Sequence, residues 1–222
     1  VYKFNENKKH AIPISIKSIY SDNGLLEKSI KNYEYRKSQY ELSCDIENNI
    51  NNKGIFIAEA ETGLGKTYAY LIPSILSNKK IIISTSTHNL QEQLFYKDVK
   101  NLSNTMNVPI NASIVKGMKN YICNFRLENL LENLDVLNDD ERLELLSLLV
   151  WVENTNTGDV SECPGFRIWK YKKIWDLVCY NHEFCTIHKN LKHQYCYYQN
   201  LKKEAENSDI IIINHSLLAS CY

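Results

Sequence analysis

Glu59-Ala-Glu-Thr-Gly-Leu-Gly-Lys-Thr67 stands between the apolar run Ile55-Phe56-Ile57-Ala58 and the segment Tyr68-Ala-Tyr-Leu-Ile72. Apolar strand, glycine turn and helix start follow one another in the order that a phosphate-binding loop requires. Glycine at positions 63 and 65 lets backbone N–H groups turn inward on phosphate oxygens at a positive helix N-terminus. Lys66 reaches the β and γ phosphates, Thr67 holds Mg²⁺, and Glu61, Thr62 and Leu64 complete the cradle. Ala60 stands where the strict pattern has its first glycine. The loop predicts a nucleoside triphosphate ligand and places the surrounding chain in an α/β class.

The coarse pattern outward from the loop is strand and helix in alternation. Gly54–Ala58 reads as a buried strand, Lys66–Leu76 as a helix, Lys80–Ser84 as a second strand, and Asn89–Leu102 as an amphipathic helix. Ile110–Val115 reads as a third strand. Asp209–Asn214 holds a continuous apolar run, typical of a parallel strand covered on both faces. Roughly ninety residues of different character separate these last two strands: leucine-rich helices over Arg126–Leu137 and Asp139–Val152, a polar turn region, then a tract dense in Cys, His, Tyr and Lys. This predicts a subdomain over residues 117–205, inserted between the first part of the nucleotide domain (1–116) and its return strand (206–222).

The chain of 222 residues is 44% hydrophobic, enough to bury a core, and its 26 basic residues equal its 26 acidic ones. Any nucleic-acid surface is therefore a local patch and not a global field. No apolar run approaches the roughly 20 residues that span a bilayer, and the N-terminal residues lack the basic and apolar regions of a signal peptide. A cytosolic protein without a membrane partner is expected. Val1 in place of Met points to a fragment or a processed start. Seven cysteines in such a chain argue for metal or redox chemistry over disulfides.

Four of those cysteines flank the insertion. Cys123 ends Lys116-Gly-Met-Lys-Asn-Tyr-Ile-Cys123, and Cys179, Cys185 and Cys196 cluster before the last strand. Four thiolates suffice for a [4Fe–4S] site. Zinc is the rival, since His182, His188 and His193 lie among them, although structural zinc sites favour shorter knuckles than these intervals. Cys44 and Cys221 read as small buried hydrophobes, and Cys163 is a spare candidate. Trp169, Tyr171, Trp175, Tyr195, Tyr197 and Tyr198 interleave with Lys170, Lys172, Lys173, Lys189, Lys192 and Lys202, a mixture suited to single-stranded nucleic acid.

The glycine loop, the Lys116–Cys123 motif, the later cysteines and Ser208-Asp-Ile-Ile-Ile-Ile-Asn-His-Ser-Leu-Leu218 together resemble the iron–sulfur helicases of superfamily 2, the DinG/XPD group, and the bacterial DinG branch most closely. The resemblance covers nearly the whole chain from about Tyr20. Tyr33-Glu-Tyr-Arg36-Lys-Ser-Gln39 resembles the adenine-reading motif, whose Gln39 offers the donor and acceptor that an adenine edge needs, with Arg36 beside it. Ser84-Thr-Ser-Thr87-His-Asn-Leu-Gln91 resembles the motif that touches the tracking strand, so Thr87, Asn89 and Gln91 are expected on nucleic-acid phosphates.

The resemblance implies a partial RecA-like parallel sheet with an inserted, mainly helical iron–sulfur subdomain. It also implies ATP, Mg²⁺ and a [4Fe–4S] cluster held by Cys123, Cys179, Cys185 and Cys196, single-stranded DNA and duplex junctions as partners, and a monomer. One departure stands out: the Asp-Glu-Ala-His box expected after the Asn-His-Ser-Leu-Leu segment does not occur before Tyr222. The expectation is an N-terminal part of an ATP-dependent DNA helicase, inactive by itself. The alternatives are a non-catalytic module for ATP and single-stranded DNA, or a phosphate-loop kinase with a zinc lid.

Overall fold

The computed structural model describes residues 14–187 and 196–220. The chain divides into two compact units, Val1–Ile114 with Ala205–Tyr222, and Val115–Glu204. Each is described by itself.

The first unit opens with two short helices, α1 (Ile16–Tyr20) and α2 (Leu25–Ser29), followed by α3 (Lys37–Asn52) and α4 (Lys66–Leu76). Ser15 and Ser18 start α1 with a reciprocal capping box. Helix α4 begins at Gly65 in left-handed conformation, and its Pro73 cannot donate to the Ala69 carbonyl one turn back. The buried Ser43 hydroxyl on α3 supplies that donor at 3.0 Å. The helix thus runs through its proline with the freed carbonyl satisfied.

Three parallel strands follow, β1 (Ile81–Thr85), β2 (Ala112–Ile114) and β3 (Ile210–Asn214), in the order β1-β3-β2. Ile81 pairs with Ile210 on one side of β3, and Ala112 pairs with the same residue on the other. The last strand in sequence is therefore the central one, which accounts for its unbroken apolar run. Between β1 and β2 the chain forms α5 (His88–Gln93), a π-helical turn over Leu94–Val99, and α6 (Lys100–Met106), where one amphipathic helix was expected. Leu71, Ile72, Leu94, Leu102, Ile210 and Ile212 lie in the core.

The strand expected over Gly54–Ala58 does not form. Among the described residues nothing pairs with Ile55, Phe56 or Ile57, and Ile55 and Ile57 are 95% and 92% exposed. Apolar character alone does not make a strand, because the backbone groups need a ladder partner.

The second unit carries α7 (Asn124–Glu132), α8 (Asp139–Val152), α9 (Lys172–Val178), α10 (His182–Ile187) and α11 (Tyr197–Asn207), the last running on to the boundary. Helix α7 ends before the expected Leu137, giving way to a tight turn over Leu134–Val136. Helix α8 starts with Asn138 and Glu141 in a capping box. Its core gathers Leu127, Leu148, Val160, Ile174, Trp175 and Val178. The chain returns to β3 and ends in α12 (His215–Ser220). No helix among the described residues is long and apolar enough to cross a membrane.

Candidate functional site

The glycine loop sits between the exposed Ile55–Ile57 segment and α4. Gly63 and Gly65 have φ of +89° and +84°, the left-handed region that a side chain resists. At Gly65 the restriction is doubled, since a Cβ there would lie 2.2 Å from Gln39 Nε2. Lys66 Nζ folds back onto the loop, donating to the Ala60 and Glu61 carbonyls at 2.7 and 2.8 Å. The Thr67 hydroxyl bonds to Tyr70, whose own phenol is pushed up mainly by burial.

Gln39 and Arg36, more than twenty residues earlier in the chain, reach this loop. The buried Gln39 donates through Nε2 to the Gly65 carbonyl at 2.8 Å, and the Arg36 guanidinium donates to the Gly63 carbonyl. Arg36 is at the N-cap of α3 and Gln39 in its first turn, so a single helix start brings both to the glycines.

The carboxyl ends of β1 and β3 form a second polar group. Thr87 caps α5, its hydroxyl accepting from Leu90 N at 3.2 Å, and Asn89 is exposed. Gln91 is fully buried and donates to the Ile212 carbonyl at 3.4 Å while its Oε1 lies 2.9 Å from His88 Nδ1. Its amide anchors α5 on β3. Ser84 Oγ is 2.8 Å from His215 Nδ1.

In the second unit a short backbone ladder arranges the cysteines. Tyr121 bridges to Asp159 and Ile122 to Cys179, both antiparallel, and Cys123 N donates to the Val178 carbonyl at 2.8 Å. This sets Cys123 beside the Cys179 turn. The buried Lys116 fixes the ladder from below: its Nζ lies 2.7 Å from Asp159 Oδ2 and 2.8 Å from Ser161 Oγ, and its backbone N donates to the Tyr121 hydroxyl at 3.1 Å. Burial raises that phenol far above the ordinary tyrosine range. Sequence reading named this lysine only as part of a motif; Asp159 gave no signal beyond its place in a polar turn.

Burial pushes all four candidate thiols up: Cys123, Cys179, Cys185 and Cys196. Cys185 raises Cys123 further, Cys196 raises Cys185 and Cys123 raises Cys196, while a hydrogen bond with Cys123 lowers Cys185, and Arg126 opposes the rise at Cys123 and Cys179. The Tyr180 phenol, against Cys185 and Cys196, is pushed up to about 12, chiefly by burial. Among the described residues no group of three or more Cys, His, Asp or Glu is placed to hold a metal ion. The four candidate cysteines supply the soft thiolate donors that an iron–sulfur cluster takes. Cys163 packs elsewhere, its Sγ 3.8 Å from the Ser147 carbonyl.

The basic and aromatic tract divides. Trp175 is buried and donates to the Lys119 carbonyl at 2.7 Å, Tyr197 is buried in the core, and Lys173 bonds to the Val136 carbonyl and Glu141. Trp169, Lys170 and Lys172 are exposed. Lys189, Lys192, Tyr195, His188 and His193 lie outside the described residues, as does Cys221.

Residues 44–149 match the DEAD/DEAH box helicase family. The chain is 35% identical over 203 residues to a Haemophilus influenzae protein named ATP-dependent DNA helicase YoaA, an alignment covering 91% of this chain and 31% of that protein. A Bacillus subtilis protein named 3'-5' exonuclease DinG is 33% identical over 97% of this chain and 23% of its own length. The Escherichia coli YoaA is 30% identical over 89% of this chain and 31% of its length. The chain thus spans a third or less of the length of each of these relatives.

Proposed function

We propose that this chain is the ATP-binding part of an ATP-dependent DNA helicase that moves along single-stranded DNA and opens duplex. The observation that carries this reading is the convergence of Arg36 and Gln39 on the carbonyls of Gly63 and Gly65. That places an amide, with the donor and acceptor an adenine edge needs, beside the glycines that would cradle phosphates.

In this reading the Gln39 amide exchanges its intramolecular partner for the adenine edge. Lys66 leaves the Ala60 and Glu61 carbonyls for the β and γ phosphates, the amides of residues 62–67 surround the phosphate oxygens, and Thr67 holds Mg²⁺. Thr87 and Asn89 at the carboxyl end of β1 face DNA phosphates, with Gln91 anchoring their helix. Trp169, Lys170 and Lys172 offer a ring and charges to a single strand. Cys123, Cys179, Cys185 and Cys196 would hold a [4Fe–4S] cluster in an inserted subdomain, their thiolates serving as its ligands. The protein works as a monomer in the cytoplasm on single strands and duplex junctions.

An Asp-Glu-Ala-His sequence does not occur in the 222 residues, so this chain grips ATP without an acid to hold Mg²⁺ from the opposite side. Binding without extra stabilisation of the transition state does not accelerate hydrolysis. By itself the chain binds single-stranded DNA in a sequence-tolerant way that weakens steeply with salt, and releases phosphate far below about one per second. Fluorescence anisotropy across a salt series and a phosphate-release assay check both. The helicase itself is tested by strand displacement from a forked duplex with the whole protein: displacement abolished by Lys66→Ala supports the reading, and displacement that survives it refutes it.

A further inference from the structure

Arg126 lies in the first turn of α7, directly after Cys123. Its guanidinium donates to the Cys179 carbonyl, stands 3.9 Å from Cys179 Sγ, and donates through Nη2 to the Asp176 carbonyl at 2.8 Å. Both carbonyls belong to the C-terminal end of α9, which has unpaired acceptors and a negative dipole end that a cation satisfies. The guanidinium also sits 5.6 Å from the centre of the Phe184 ring, whose neighbour in sequence is Cys185. Phe125 packs on the same ring at 5.6 Å. One side chain therefore touches or adjoins the segments that carry Cys123, Cys179 and Cys185.

Only arginine suits this geometry. Two donors of one planar fork grip two carbonyls while the face of the fork lies over an aromatic ring, and a lysine ammonium cannot do both. A salt bridge to a carboxylate would have quenched the charge; among the described residues its partners are carbonyls, a ring and a sulfur atom, so the positive charge stays available to thiolates.

We propose that Arg126 is a positioning residue for the thiolate site, holding three cysteine segments in place and offsetting part of the negative charge that metal-bound thiolates bring. This rests on the iron–sulfur reading above. It makes two demands that a purely structural arginine does not: a bound cluster leaves more readily without it, and the reduction potential of the cluster falls, because the reduced, more negative state loses a nearby positive charge.

The test is anaerobic reconstitution of the full chain with ferrous iron and sulfide, for the wild type, Arg126→Lys and Arg126→Met. Iron per chain, visible absorbance, iron release to a chelator and the reduction potential are measured, with far-UV circular dichroism as the check on folding. The wild type should turn brown with about four irons. Arg126→Met should stay helical, release iron at least tenfold faster and show a more negative potential. Arg126→Lys should release iron at an intermediate rate with a smaller change in potential. Should Arg126→Met not fold, Arg126→Lys decides, and wild-type release from it overturns the proposal. A folded Arg126→Met with wild-type release and potential does the same while leaving the iron–sulfur reading intact. A colourless wild type overturns that reading and the proposal with it.

Discussion

β3 and the segment Ile55-Phe56-Ile57 are nearly interchangeable as sequence, short isoleucine-rich runs in an α/β chain, yet they end in opposite states. β3 is paired on both edges, and Ile212 is fully buried between β1 and β2. Ile55 and Ile57 stand open to solvent, without a ladder partner among the described residues. The difference teaches that burial here follows backbone pairing. An apolar run supplies the driving force, and a neighbouring strand is needed to satisfy the N–H and C=O groups that burial would otherwise strand.

The largest expected effect tests that contrast directly. Ile212→Ala removes a core side chain and should lower the urea-unfolding stability by about 2–5 kcal/mol, whereas Ile57→Ala should change it by no more than about 0.5 kcal/mol. Equal losses would mean that the Ile55–Ile57 segment is as buried as β3.

A second comparison lies within the loop that the open segment leads into. Gly65→Ala meets both a left-handed φ and Gln39, while Gly63→Ala meets only the left-handed φ, with open space around it. Each carries a strain cost of roughly 1–2 kcal/mol. Gly65→Ala should in addition displace Gln39 and weaken binding of an ATP analogue more than Gly63→Ala does. Equal affinities for the two variants would remove Gln39 from the site.

Exposure of the apolar segment has its own readout. Replacing Ile55 and Ile57 together by Glu should reduce binding of an apolar dye and reduce aggregation with little change in the unfolding midpoint, since exposed apolar surface of this kind is an association hazard. A large drop in stability would break the comparison from the other side.

The smallest effect concerns a buried group whose partner is weak. Asp98 is buried in the π-helical turn and accepts from the Gln93 amide at a long 3.3 Å, and burial raises its carboxyl above the ordinary range. A carboxyl with a raised folded-state pKa takes up protons on folding, so stability rises as pH falls through that pKa and is reduced above it. Asp98→Asn should therefore stabilise the chain at pH 7 by up to about 1 kcal/mol, with the gain fading at acid pH. Thermal melts at pH 7 and 4.5 give both numbers.

How much of this was legible follows the same rule. Helices α4 and α8 could be read with their bounds because their signals are local: Gly65 before one, and Asn138 with Glu141 at the head of the other. β3 was legible from its unbroken run, although its central place in the sheet was not. The glycine loop was legible for the same local reason. Arg126 was invisible because its partner Cys179 is 53 residues away, and no spacing rule connects them. Lys116 and Asp159 were missed likewise. Gln91 read as a strand-contacting residue from its motif, and only the fold turns it inward onto Ile212.

The central claim is that the loop around Lys66 grips a nucleoside triphosphate, and equilibrium titration of a fluorescent ATP analogue with Mg²⁺ tests it most directly. The wild-type chain should bind one analogue per chain, competed off by ATP, and Lys66→Ala, which removes the charge that meets the β and γ phosphates, should weaken binding about tenfold or more. Binding unchanged by Lys66→Ala, or no binding by the folded wild type, would contradict the account.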